Sequence, residues 1–186
     1  MAGIAAGTLI TAVLWFALLS YLPAPATANP FVTALACSAI AALLTLVAGV
    51  EAVAHERLVT PAIDPLAGVE TQRMRVNLRY LANTVEQFII FSAGLLLLSF
   101  YAPSRILVIV TVVWVVARWA FWIGYHRSPL LRGIGAPGMA QSLIVLLYAV
   151  YRFAIDAYGK PTAIGLMLVF AMIEACLFWA VLRRVQ

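Results

Sequence analysis

Residues 79–101 read RYLANTVEQFIIFSAGLLLLSFY and residues 104–125 read SRILVIVTVVWVVARWAFWIGY, two apolar stretches parted only by Ala102-Pro103. At a helical rise of about 1.5 Å per residue, each is long enough to cross a hydrocarbon core of about 30 Å. Neither alternates polar with apolar residues as a barrel strand does. A spanning segment must satisfy its own backbone, so both are expected to be transmembrane helices. Each also carries one charge at depth, Glu86 in the first and Arg118 in the second. An ion inside such a span costs several kcal/mol or more unless it meets a partner, so these two residues should face protein or a water-filled crevice.

Outward from this pair the pattern repeats. Apolar runs cover Gly3–Leu22, Phe31–Ala54, Leu81–Tyr101, Ile106–Tyr125, Met139–Phe153 and Thr162–Leu182, six in all. The breaks hold Pro23, Pro25 and Pro30, then Pro61 and Pro65, Pro103, Pro129 and Pro137, and finally Gly159 and Pro161. Proline and glycine mark places where a helix backbone must leave its ladder. Of the 186 residues 65% are hydrophobic and 10% charged, more apolar surface than a soluble domain of this length can bury. The expected fold is therefore all-α, a polytopic transmembrane helix bundle. The first run is read as a retained helix, with a cleaved signal peptide as the alternative because Ala26-Thr27-Ala28 resembles a small-residue cleavage site.

Several classes are disfavoured by what the chain carries. Cys37 and Cys176 lie in apolar runs, away from any metal-ligand spacing, so neither a disulfide framework nor a metal site is expected. The net charge of +5 comes almost wholly from arginine, which in a membrane protein reports topology rather than nucleic-acid binding. Arg57, Arg73, Arg75 and Arg79 fall in one loop, Arg127 and Arg132 in another, and Arg183 and Arg184 at the end. The positive-inside bias places these in the cytoplasm, with both termini inside. No zincin, P-loop, nucleophile-elbow or dinucleotide motif is present. The 51–80 segment gathers Glu51, His55, Glu56, Asp64 and Glu70 with the arginines, and its first part is expected to be an interfacial linker solvated among acidic headgroups.

Chemistry concentrates at the inner ends of the opening pair. The offsets of four and three put Arg79, Asn83 and Glu86 on one helical face. Arg118 sits in the next span, followed at four and seven residues by Trp122 and Tyr125, and Arg132 follows in the loop. An arginine fork suits carboxylates, and a phenol or amide can orient a polar ligand, so the two faces could hold a small peptide-like anion. A Glu86–Arg118 bridge that only fixes helix register is the equal alternative. Arg152 and Asp156, four apart, are expected to pair locally. His55 and His126 are expected to be interfacial. Glu174 lies deep in the last run without an obvious cation, and a transport role would have to start there.

The order Arg79-x-x-x-Asn83-x-x-Glu86, Phe88 and Phe91, Ala117-Arg118, Gly124-Tyr125 and Arg132 resembles the membrane-associated proteins in eicosanoid and glutathione metabolism, the MAPEG family, which includes the microsomal glutathione transferases. The resemblance runs over about residues 70 to 155. It implies a four-helix core over 31–158, with an extra helix and linker in 1–30 and another helix in 159–186, assembled as a homotrimer. It further implies that Arg79, Asn83, Glu86, Arg118 and Tyr125 bind glutathione, the co-substrate, and that Arg132 lies near the thiol as the catalytic residue. Ala120, where many relatives carry tyrosine, and Arg75, where an acidic residue is common, depart from the pattern.

The expected protein is thus an integral membrane thiol-binding enzyme of a bacterial inner membrane, conjugating glutathione or a related thiol to a lipophilic substrate or reducing that substrate. Its other partner is membrane lipid, with no nucleic acid. The alternatives are a non-catalytic structural or lipid-binding membrane protein and a small transporter.

Overall fold

The computed structural model describes residues 2–23, 25, 29–64, 66, 68–128 and 130–185. The Ala26-Thr27-Ala28 stretch and the prolines at 65 and 129 lie outside the described residues. Among those described, helix follows helix and no strand occurs: α1 (Ala2–Tyr21), α2 (Pro30–Ala42), α3 (Ala48–Val59), α4 (Gln72–Leu98), α5 (Ser104–Arg127), α6 (Ala136–Tyr158) and α7 (Lys160–Val185). α2 and α3 are continuous through a π-helical turn at Leu43–Val47, so six spans are long and apolar enough to cross a membrane.

The helices overrun the apolar stretches for physical reasons. Proline has no N–H to lose in a first turn, and Pro30, Pro137 and Pro161 each sit inside one rather than in the break before it. Asn29 caps α2, its Oδ1 accepting from the N–H groups of Phe31 (2.9 Å) and Val32 (3.4 Å). α4 starts nine residues before the apolar run because a buried stripe extends backward from it through Thr84, Tyr80, Asn77 and Met74. Thr71 caps that start by accepting from Met74 N–H at 3.0 Å.

The core lies where α2, α4, α5 and α6 meet. Phe91 stacks on Trp114 with ring centroids 4.5 Å apart, amid Ala34, Ala41, Leu95, Leu107, Val110 and Ala149. Small residues on α2 and α6 let the aromatic pair fill the middle, which aligns α4 antiparallel to α5 with their arginine-bearing ends together. α1 docks on α5, α6 and the 3-10 turn Leu131–Ile134. Trp15 Nε1 donates to Gln141 Oε1 (2.8 Å), Gln141 Nε2 donates to the Val110 carbonyl (2.9 Å), and Arg105 donates to the Leu19 carbonyl. Among the described residues α7 packs against α6 alone, and Glu174 is exposed on it.

The loop after α3 is exposed along most of its length, Asp64 and Glu70 included, as a solvated linker would be, but it is pinned at its ends. Glu56, almost fully buried, accepts from Thr71 Oγ at 2.8 Å and pairs with Arg73 at 3.2 Å. For Glu56 alone the expectation of a solvated residue is corrected: its carboxylate ties the end of α3 to the start of α4. The local Arg152–Asp156 pair does not form either. Arg152 instead donates to Tyr148 Oη at 3.1 Å and lies over the Tyr101 ring at 5.2 Å, because the phenols of α6 and the α4–α5 turn stand closer to its guanidinium.

Candidate functional site

At the arginine-rich end, α4, α5 and α6 leave between them a cavity of about 510 Å³, lined by Arg79, Asn83, Phe121, Tyr125, Arg132 and Met139 among others. That volume is in the range of about 300–1,000 Å³ of ligand pockets. Arg79 and Asn83 come from successive turns of α4. Phe121 and Tyr125 come from successive turns of α5. Arg132 comes from the 3-10 turn between α5 and α6.

Arg132 reaches this cavity because its turn folds back tightly on α5. Gly124 is buried under Leu131 and Arg132, so close that a Cβ there would stand 2.5 Å from the Leu131 carbonyl oxygen. Once folded back, the Arg132 guanidinium lies over the Tyr125 ring at 5.3 Å, a cation–π contact that orients both side chains.

Arg118 lies beneath the cavity rather than in its wall and is fully buried. It donates from Nη1 to Asn83 Oδ1 (3.0 Å) and Met139 Sδ, and from Nη2 to Thr84 Oγ (2.6 Å). The rings of Phe121 (4.7 Å) and Tyr80 (5.1 Å) flank it. Burying a guanidinium costs several kcal/mol, and charge-assisted hydrogen bonds of about 1.5–3 kcal/mol each offset it. Three of its contacts, Asn83, Met139 and Phe121, line the cavity, so Arg118 fixes the floor from below and aims the Asn83 side chain.

The structure therefore unites Arg79, Asn83, Tyr125 and Arg132 in one cavity, with Arg118 under it. Glu86 does not join them. It is exposed on α4 with no ion pair among the described residues, so the Glu86–Arg118 bridge is absent. The physical reason is angular: Thr84 faces the buried side of α4, where Arg118 arrives, whereas Glu86, two residues on, faces away. Trp122 also turns aside. Its ring stacks on Tyr80 at 4.4 Å, and its Nε1 donates to Asn77 Oδ1 (3.0 Å), which His126 Nε2 also contacts at 2.9 Å.

Sequence reasoning missed Thr84, Met139 and the Asn77–Trp122–His126 cluster. The spacing of Asn77, Tyr80 and Thr84 by three and four residues, in register with Phe91 and Leu95, was the available signal for the buried face of α4. No group of three or more His, Cys, Asp or Glu residues that could hold a metal ion occurs among the described residues.

A bundle of six helices long and apolar enough to cross a membrane, with a basic, amide- and phenol-lined cavity at one end, is an integral membrane protein. Residues 33–155 match the model of the MAPEG family, two thirds of the chain. The chain belongs to that family. No curated protein and no solved structure matches it. The match spans α2 to α6 and leaves α1 and α7 outside.

Proposed function

We propose that the cavity binds glutathione or a related low-molecular-weight thiol and that the protein transfers this thiol to a lipophilic electrophile or uses it to reduce one. The observation that carries the reading is the convergence of two arginines, an asparagine and a tyrosine from three elements on one cavity. Guanidinium forks suit the thiol tripeptide's carboxylates. A free thiol titrates near pH 8.5, and a guanidinium beside it favours the thiolate. Arg132 fills that role in this reading. In the conjugation the thiolate sulfur attacks the electrophilic atom, a carbon–sulfur bond forms, and the displaced electron pair leaves with the leaving group or takes up a proton.

The arginine-rich end is cytoplasmic in this reading, with the protein in a bacterial inner membrane. Glu86 supports assembly into a homotrimer: an exposed carboxylate in an apolar span needs a covering chain. Glu174 adds no support for a transporter: among the described residues it is exposed on a helix that packs on α6.

Calorimetry of glutathione on detergent-purified protein tests the reading. Saturable binding that weakens in Arg79→Gln and Arg132→Gln, with both variants folded, is expected. A folded native oligomer that binds no thiol at millimolar concentration overturns it in favour of a non-catalytic membrane protein.

A further inference from the structure

A second cavity, of about 490 Å³, lies toward the opposite end of the bundle. Its walls include Trp15 of α1, Pro103 and Ile106 at the α4–α5 turn, and Ile144, Val145 and Tyr148 of α6. It is almost wholly apolar. Its one deep polar side chain, Gln141, has both ends engaged, its oxygen accepting from Trp15 and one amide N–H donating to the Val110 carbonyl. Ile144 (66% exposed) and Tyr148 (45%) line its outward-facing side, on a helix long and apolar enough to cross a membrane.

The rim is different. Tyr101 and Tyr148 line it, and Arg152 bridges them, donating to Tyr148 Oη at 3.1 Å with its guanidinium over both rings at 5.2 and 6.0 Å. That single bond uses one of the guanidinium's five donors. Asp156 is the one acidic residue near this end; it interacts with the Tyr101 hydroxyl, against the three cations Arg105, Arg152 and Lys160. At the rim itself Arg152 and Asp156 both reach Tyr101, while Arg105 is turned away to the Leu19 carbonyl, so Arg152 is the cation that faces the cavity mouth.

An apolar slot that opens sideways and ends at a cation held between two phenols matches one chemistry. We propose that this cavity binds an anionic amphiphile, with its apolar chain between α1 and α6 and its carboxylate or phosphate head at Arg152. Snorkelling arginine suits this depth, since its stem stays with the chain while the guanidinium meets the head at the interface. The site is separate from the thiol cavity, and its occupation does not require that the thiol reading hold.

Trp15 in the wall supplies the readout. Bromine-labelled stearate is titrated into the detergent-purified native chain, and quenching of Trp15 is taken as the difference from Trp15→Phe. Saturable quenching is expected, weakened about tenfold by Arg152→Gln, as loss of one charge-assisted contact implies. Arg152→Lys should retain most of it. Ile144→Phe, at an exposed position that leaves the core untouched, should reduce quenching by filling the slot. Bromine-labelled phosphatidylglycerol in nanodiscs forms the second arm. Saturation there but not with stearate assigns the head to a bilayer phospholipid, and the converse assigns it to a free fatty acid. Quenching that never saturates, or that Arg152→Gln and Ile144→Phe both leave unchanged in folded protein, or that a bromoalkane without a head group reproduces, overturns the proposal.

Discussion

Gly124→Ala tests whether the fold of the Leu131–Ile134 turn, rather than the mere presence of Arg132, makes the site. The new Cβ would stand 2.5 Å from the Leu131 oxygen, 2.7 Å from its carbon and 2.9 Å from the Arg132 nitrogen. Ordinary contact begins near 3.4 Å, so the turn must retreat by about 0.9 Å. Retreat is resisted from the other side, where Gly7 of α1 lies directly on the Ile134 backbone. Overpacking of this kind costs about 1–3 kcal/mol, while alanine in place of glycine in a helix returns about 1 kcal/mol. The net loss is then about 0–2 kcal/mol, a few degrees in Tm for a chain of this size. Displacing a positioned group by about 1 Å can cost about a hundredfold in rate. The expected outcome is therefore a folded protein with a Tm lowered by a few degrees, whose thiol-dependent turnover falls far more than that loss of stability accounts for. Thermal unfolding in detergent, read beside calorimetry and turnover, separates the two. Gly165→Ala in α7, with nothing within 4 Å of its new Cβ, is the control: it should leave turnover and thiol affinity unchanged and raise Tm slightly through the same helix gain. Native turnover and thiol affinity in Gly124→Ala would refute the argument that this close approach positions Arg132.

Arg118→Met, which keeps an apolar stem but withdraws the bonds to Asn83, Met139 and Thr84, should lower thiol affinity by freeing Asn83, and Arg118→Lys should not restore it because one compact ammonium replaces the two separate nitrogens that reach Asn83 and Thr84; calorimetry of both variants checks this. Glu56→Gln keeps an acceptor for Thr71 but loses the Arg73 pair; with Arg73 75% exposed, the cost should be about 1 kcal/mol or less and should shrink in high salt, as unfolding at two ionic strengths would show. Ile4→Trp enlarges the one wall of the thiol cavity that α1 supplies, so the thiol Kd should rise in a folded variant, as calorimetry would show.

The six spans were legible because their apolar runs are long and their breaks are marked by proline, and the family was legible because its residues sit at fixed offsets. The partner of Arg118 was not. Asn83, Thr84 and Glu86 lie within one turn of each other, and hydropathy treats that turn as a single polar interruption of an apolar run. The helical rotation between residues 84 and 86 decides which side chain meets the guanidinium, and that depends on how α4 is rotated against α5 by the Phe91–Trp114 stack. The pinned loop escaped for a similar reason: Glu56 and Thr71 are fifteen residues apart, and nothing local says that they meet. Successive turns of one helix were enough to bring Arg79 and Asn83 to one cavity, though the same pattern carried Glu86 with them and there it failed. Where an interaction joined two elements by a single hydrogen bond, pattern did not suffice.

α1 changes what the family core can do. It lies outside the 33–155 match, yet it walls both cavities, Ile4 at the arginine-rich end and Trp15 toward the other. Its attachment is specific rather than greasy: a buried glycine on the Ile134 backbone, an indole on Gln141 and a carbonyl on Arg105, spaced along its length. A helix held at three points is fixed in rotation, so Ile4 and Trp15 must face inward at the same time. Among the described residues α7 has no such ties, meeting α6 alone and leaving nearly all of its surface outward. The two added helices are thus not equivalent. Substitutions along the inner face of α1 should alter which lipophilic molecules reach either cavity, whereas substitutions along α7 should act through whatever covers its outer face.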